Sequence, residues 1–269
     1  MKLEINCLNP KYAYLMNHFL KSFLMIIPLF LFLTSTTGAQ DRKSADRVNE
    51  ILEEYESWSS VRDDWANLDK YREKNRELGP PEAGEKRIVF MGNSITEGWS
   101  EGFPDFYDGK PYINRGISGQ TTPQMLIRFR QDVVDLKPDV VLILAGTNDI
   151  AGNTGPSTPD MIADNIFSMS EIADANGIKV IICSILPAIE YPWKPEIKPA
   201  KIIVEVNQKL RAYAGQHGHY YLDYHSEMSD EKGGMKRGLA YDEVHPTAEG
   251  YRVMSELADE AINELLNTE

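Results

Sequence analysis

The stretch Asp139 to Ala145 reads DVVLILA, apolar at nearly every position. A strand wetted on one face alternates apolar and polar residues. A short unbroken apolar run fits a strand buried on both faces, and both faces are buried when helices cover a parallel sheet. Four other runs can lie beside it: Arg87 to Met91 (RIVFM), the weaker Pro111 to Asn114, Ile178 to Ile185 (IKVIICSI) and His219 to Leu222. Helical stretches separate them. Thr122-Pro123 and Thr158-Pro159 each place a capping threonine before a proline suited to a first helical turn, predicting helices to about Leu136 and Asn176. Ala200 to Gln216 and Thr247 to Leu266 are the last two. Strand and helix thus alternate to the end of the chain, which defines a doubly wound three-layer α/β/α domain. In such sheets a ligand crevice opens beyond the carboxyl ends of the strands.

The residues before this pattern differ. Phe23 to Leu33 is a short apolar run behind Lys21, followed by small residues ending in Thr37-Gly38-Ala39. That arrangement reads as a signal peptide over 1–39, with Met16 as an alternative start; the competing reading is an uncleaved anchor. Cleavage would remove three lysines and one glutamate, so the net charge of −13 would become −15. A polyanion is repelled by nucleic acid and by anionic membranes, so neither is an expected partner. Cys7 would leave with the leader, and Cys183 would have no partner for an intramolecular disulfide. Residues 40–85 form a charged extension expected to be helical, with Trp58, Val61, Trp65, Leu68 and Tyr71 as its apolar stripe and Gly79-Pro80-Pro81 as its end. The α/β domain would then run over 86–269.

Four short segments lie just after a strand or at a helix start: Gly92-Asn93-Ser94-Ile95-Thr96-Glu97, Asn114-Arg115-Gly116-Ile117-Ser118-Gly119, Gly146-Thr147-Asn148-Asp149, and Asp242-Glu243-Val244-His245-Pro246. The winding would gather them at one sheet edge. Together they supply what acyl transfer needs. A serine hydroxyl requires a base within hydrogen-bond reach, histidine can take and return that proton near neutral pH, and a carboxylate fixes the imidazole tautomer. Each segment alone has a plainer explanation. Ser94 to Glu97 is also a capping box, Gly116 and Gly119 could be turn glycines, and Asn148-Asp149 could be turn residues bonding their own backbone. The conjunction favours chemistry.

On these four segments, in this order, the sequence resembles the SGNH (GDSL) hydrolase family from about Lys86 to the last helix. The resemblance implies a flavodoxin-like sheet in the order 2-1-3-4-5, with Ser94 as nucleophile, His245 as base and Asp242 as its partner. The backbone N–H groups of Ser94 and Gly119 and the side-chain amide of Asn148 would form the oxyanion hole. One position departs from the family's usual Gly-Asp-Ser, since Asn93 stands where the aspartate would be.

Specificity should come from two loops, Ala151 to Ser157 and Pro187 to Pro199. Tyr191 and Trp193 either stack on a sugar ring or pack the second loop to the body; Trp99 and Phe103 either wall the pocket or fill core. Asn93 is a further candidate lining residue. Asp149 reads as a structural partner for neighbouring loops. No cofactor is implied. His217 and His219, two apart, lack acidic or cysteine partners at ligand spacing, so no metal is expected. The functional expectation is an exported serine esterase acting on short acyl groups of a small-molecule or carbohydrate ester. The alternatives are a lysophospholipase, thioesterase or platelet-activating-factor acetylhydrolase-like lipid esterase, an acyltransferase, and a carbohydrate-binding protein without activity. An intact set of five chemical positions argues against the last.

Overall fold

The run at 139–145 is the centre of the sheet. In the computed structural model, which describes residues 46–49, 52 and 63–267, Val140–Leu144 forms β3, buried at every position. The sheet also contains β1 (Ile88–Gly92), β2 (Tyr112–Gly116), β4 (Lys179–Cys183) and β5 (Tyr220–Leu222), all parallel, in the order β2-β1-β3-β4-β5. The expected order is therefore the observed one. Ile88 is paired with Tyr112 on one side and Val140 on the other, so β1 and β3 share the middle of the sheet. The ladder shifts most predicted strand ends by one or two residues, because pairing with a neighbour, rather than apolarity, decides where a strand stops.

Eight helices within residues 63–267 carry the argument: α1 (Arg72–Leu78), α2 (Ser94–Gly102), α3 (Thr122–Asp132), α4 (Thr147–Ile150), α5 (Pro159–Ala175), α6 (Ala200–His217), α7 (Tyr224–Met228) and α8 (Ala248–Asn267). Helices α3, α5 and α6 pack together on one face of the sheet, and α2 and α8 lie on the other. Thr158 caps α5 as expected, accepting from the N–H of Met161 at 3.2 Å. In α3 the cap is one residue earlier than expected: Thr121 precedes the helix, and its N–H donates to the Gln124 side chain at 3.0 Å. Cys183 is sealed at the end of β4, where burial pushes its thiol well above the usual range.

The chain divides into residues 1–63 and 64–269. Of the first unit, residues 46–49, 52 and 63 are described, and they are helical. The expected leader over 1–39 lies outside the described residues, as do Trp58 and Val61. Among the described residues, no helix is long and apolar enough to cross a membrane. The expected helical stripe does not continue through residues 64–71, which are turns. The Asp64 carboxylate accepts from the N–H groups of Leu68 (2.8 Å) and Asp69 (3.0 Å), and Asn67 is left-handed at φ 54°. A side chain that satisfies backbone donors in this way offers the chain an alternative to the helix. Trp65 is exposed and Tyr71 is buried.

Candidate active site

Each expected segment follows the carboxyl end of a strand or precedes α8. Ser94 is the first residue of α2, directly after β1. The helix cap is Asn93, whose side chain accepts from the N–H of Ile95 at 3.1 Å. The capping-box reading of Ser94 and Glu97 is thereby corrected: Glu97 instead accepts from the N–H of Ser118 at 2.7 Å and pairs with Lys70 at 2.9 Å. The Ser94 hydroxyl is left free to face His245. Its Oγ lies 2.9 Å from Nε2 of His245, and Nδ1 of His245 lies 2.7 Å from Oδ2 of Asp242. The three side chains form one continuous relay.

The Asp242–His245 segment is a tight loop that ends before α8 begins. Oδ1 of Asp242 accepts from the backbone N–H of His245 at 2.7 Å and of Val244 at 3.2 Å. Closing so small a ring puts Glu243 in the left-handed region at φ 71°, a conformation that side chains other than glycine rarely adopt. Ala240 and Pro246 bridge in antiparallel fashion, with the Tyr241 N–H donating to the His245 carbonyl at 3.1 Å. Burial pushes the Asp242 carboxyl up. The His245 backbone N–H, its imidazole and charge, and the Val244 N–H outweigh that and hold it below the usual carboxylate range.

The opposite wall is made by the ends of β2 and β3. Gly119 is exposed and left-handed at φ 76°, and its carbonyl accepts from Nδ2 of Asn153 at 3.1 Å. Gly116 must be glycine, because a Cβ there would stand 2.1 Å from the Glu97 nitrogen in the first turn of α2. Nδ2 of Asn148 donates to the Gln120 carbonyl at 2.9 Å. That carbonyl fixes which end of the amide is nitrogen, and the second hydrogen of Nδ2 remains for another acceptor. Asp149 is buried and acts as a structural partner: it accepts from the Thr122 N–H at 3.0 Å and the Thr122 hydroxyl at 2.6 Å. Burial raises its carboxyl to about 6 despite those bonds.

Arg128 and Gln120, which the sequence does not single out, complete this wall. Arg128 in α3 is fully buried. Its Nε donates to Oε1 of Gln120 at 2.6 Å, Nη2 to the Gly92 carbonyl at 3.0 Å, and Nη1 to Asp132 at 3.0 Å. One guanidinium thus joins the turn that carries Ser94 to the loop that carries Gly119. Removing one partner from such a buried pair costs about 3–5 kcal/mol, because the other charge is left uncompensated.

The expected lining residues fare unequally. Trp99 is core, not pocket: it is fully buried, stacks on Phe106 with centroids 4.9 Å apart, and donates Nε1–H to Ser255 at 3.0 Å. Asn93 is buried as the cap. Tyr191 is also buried, so it presents no face to a ligand, but it stacks under Trp193 at 5.2 Å. Trp193 is 39% exposed, with its ring 6.1 Å from that of His245. Tyr241, which sequence reasoning missed, is 71% exposed and lies nearly parallel to the His245 ring at 5.8 Å. Its one sequence signal was adjacency to Asp242. His217 and His219 stack at 6.1 Å beside Asp174, at the other end of the strands. Among the described residues, no group of three or more metal-ligating side chains converges.

A parallel α/β sheet whose carboxyl edge gathers a serine–histidine–aspartate relay defines the general class. The sequence pattern of the GDSL-like Lipase/Acylhydrolase family matches residues 90–253, and the chain belongs to this family. It is 47% identical to a GDSL-like lipase of Bacteroides thetaiotaomicron whose crystal structure superposes with a TM-score of 0.73, covering 74% of this chain and 98% of that one. It is 25% identical over 222 residues to an acetylxylan esterase of Xylanibacter ruminicola, covering 70% of this chain and 45% of the relative. It is 27% identical over 171 residues to the uncharacterized lipoprotein YqeF of Bacillus subtilis, covering 57% of this chain and 62% of that protein. The chain therefore spans less than two thirds of either curated relative.

Proposed function

We propose that the protein is a serine esterase that removes short acyl groups, acetyl above all, from carbohydrates. The observation that carries the reading is the relay from Ser94 through His245 to Asp242, at 2.9 and 2.7 Å. His245 takes the proton of Ser94 as Oγ attacks the ester carbonyl, and later gives it to the departing alcohol. Asp242 holds the imidazole in the tautomer that leaves Nε2 free to accept, and stabilises the imidazolium. The tetrahedral oxyanion is met by the N–H of Ser94 at the start of α2, the N–H of Gly119 and the free hydrogen of Asn148 Nδ2. Water then repeats the sequence on the acyl-enzyme.

Trp193 and Tyr241 support a carbohydrate as the alcohol. Two partly exposed aromatic rings flank His245, where the leaving alcohol must sit to receive its proton. A sugar ring offers flat C–H faces to such platforms. The acetylxylan esterase relative is consistent with that substrate class. Export rests on the apolar run at Phe23 to Leu33 and on the lipoprotein relative. The deciding test is turnover of p-nitrophenyl esters from C2 to C12 beside acetylated xylan and pectin. A preference for long chains, with no release of acetate from either polysaccharide, would overturn the carbohydrate reading and favour a lipid esterase.

A further inference from the structure

Upstream of the family-matched region, residues 64–78 have no part in the relay, yet their bonds converge on one wall of the site. The backbone carbonyl of Ala66 accepts from Nε2 of Gln120 at 2.7 Å. The Tyr71 hydroxyl donates to the Gly116 carbonyl, and the ring of Tyr71 lies under the Arg115 guanidinium at 4.7 Å. Lys70 pairs with Glu97, which in turn holds the N–H of Ser118. Nδ2 of Asn75 donates to Asp132, the partner of Arg128, at 2.7 Å. The segment therefore reaches the 116–120 loop directly at Gly116 and Gln120, and indirectly through Glu97 and Asp132.

Gln120 is where these contacts become relevant to chemistry. Its side chain is held at both ends, with Oε1 on Arg128 and Nε2 on Ala66. Its backbone carbonyl receives Asn148, and the residue before it is Gly119. One buried side chain thus sets the orientation of the peptide that lies between the two donors assigned above to the oxyanion. Packing alone would not require a buried amide tied at both ends; an apolar residue would fill the same space without a need for partners.

We propose that residues 64–78 form a strap that positions the oxyanion side of the site, acting through Gly116 and Gln120. This rests on the esterase reading given above. Gln120 is a positioning residue, and its effect is on where Gly119 and Asn148 point.

Two variants of the full chain test it. Gln120→Glu keeps an acceptor for Arg128 but places an oxygen against the Ala66 carbonyl. Tyr71→Phe removes one hydroxyl and keeps the ring. Each is assayed for kcat and KM on p-nitrophenyl acetate, and hydrogen exchange across 116–121 is read by mass spectrometry. The expected result is a kcat at least tenfold lower for Gln120→Glu and at least threefold lower for Tyr71→Phe. KM should stay within twofold, and exchange should rise tenfold or more at 116–121 while β3 and β4 keep their protection. Unchanged kcat, a rise in KM alone, or a fall in kcat without faster exchange at 116–121 overturns the proposal. So does faster exchange throughout the sheet, which would make the strap a support of the whole fold only. If Gln120→Glu does not fold, Tyr71→Phe carries both measurements. A wild-type protein that turns over no ester would sink the esterase reading, and the exchange comparison would still decide the strap.

Discussion

The two halves of the site are held in different ways. The wall with Ser94, Gly119 and Asn148 grows from the ends of β1, β2 and β3 and is backed by buried polar groups, among them Arg128, Gln120 and Asp149. The wall with Asp242 and His245 rides on an irregular stretch between α7 and α8. There the side chains of Asp242 and His245 are 32% and 20% exposed, and Glu243 is left-handed. The difference fits the roles proposed above for each half. Oxyanion donors contribute most when they need no reorganisation as charge develops. The base must pass a proton between two oxygens, and a short local loop on the surface can aim it while leaving the alcohol a way out.

The sharpest break of this contrast is Ser94→Ala. It should lower kcat by about 10⁴–10⁶-fold, by analogy with other triads. Because Asn93 and not Ser94 caps α2, the melting temperature should not move. A variant that retains appreciable turnover would remove the relay from the mechanism. On the opposite wall, Asn148→Ala should lower kcat by roughly 10²–10³-fold with KM little changed, since its second hydrogen serves charge present only in the transition state. A rise in KM alone would place Asn148 in ground-state binding.

The buried wall should also carry a pH signature opposite in sign to the one that the lowered Asp242 carboxyl gives the exposed wall. The carboxyl of Asp149 is raised from 3.8 to about 6 by burial. A carboxyl raised on folding stabilises fully below its unfolded value and loses that contribution as pH climbs through the folded value. Wild type should therefore lose up to about 3 kcal/mol relative to Asp149→Asn between pH 3.5 and 7, measured by urea unfolding. A constant difference across that range would show that the carboxyl ionises as freely as in the unfolded chain. The smallest effect is expected at Glu243. Replacement by glycine relieves the left-handed backbone and loosens the unfolded chain, two opposed contributions of about 1 kcal/mol each, so net stability should change by less than about 1 kcal/mol. A loss well above that would mean that the Glu243 side chain supports the loop.

The sequence carried the layout of the sheet because a strand buried on both faces writes itself as an unbroken apolar run. Ser94, Asp242 and His245 could be singled out because the proposed chemistry demands particular residue types, the serine at a strand end and the other two just before a helix. The sequence left Trp99 open between pocket and core, since an aromatic residue near a nucleophile has the same composition whether it lines a pocket or stacks between Phe106 and Tyr251. The network around Arg128 was invisible for a related reason. A charged residue on an amphipathic helix is ordinarily a solvated one, and only tertiary contact reveals that α3 turns Arg128 and Asp132 inward. Tyr241 was missed because an irregular loop has no period to betray which side faces the site.

The sealed thiol of Cys183 has a practical consequence. In the folded protein it is 1% exposed, inside β4, and without a disulfide partner among the described residues. Modification by a thiol reagent requires the thiolate and access to it, and both arise only when the packing around the end of β4, beside the edge strand β5, opens. The labelling rate of the peptide containing Cys183 is therefore a clock for that opening, set within the chain itself. It needs neither substrate nor activity, and it would time the stability of every variant above on a common scale.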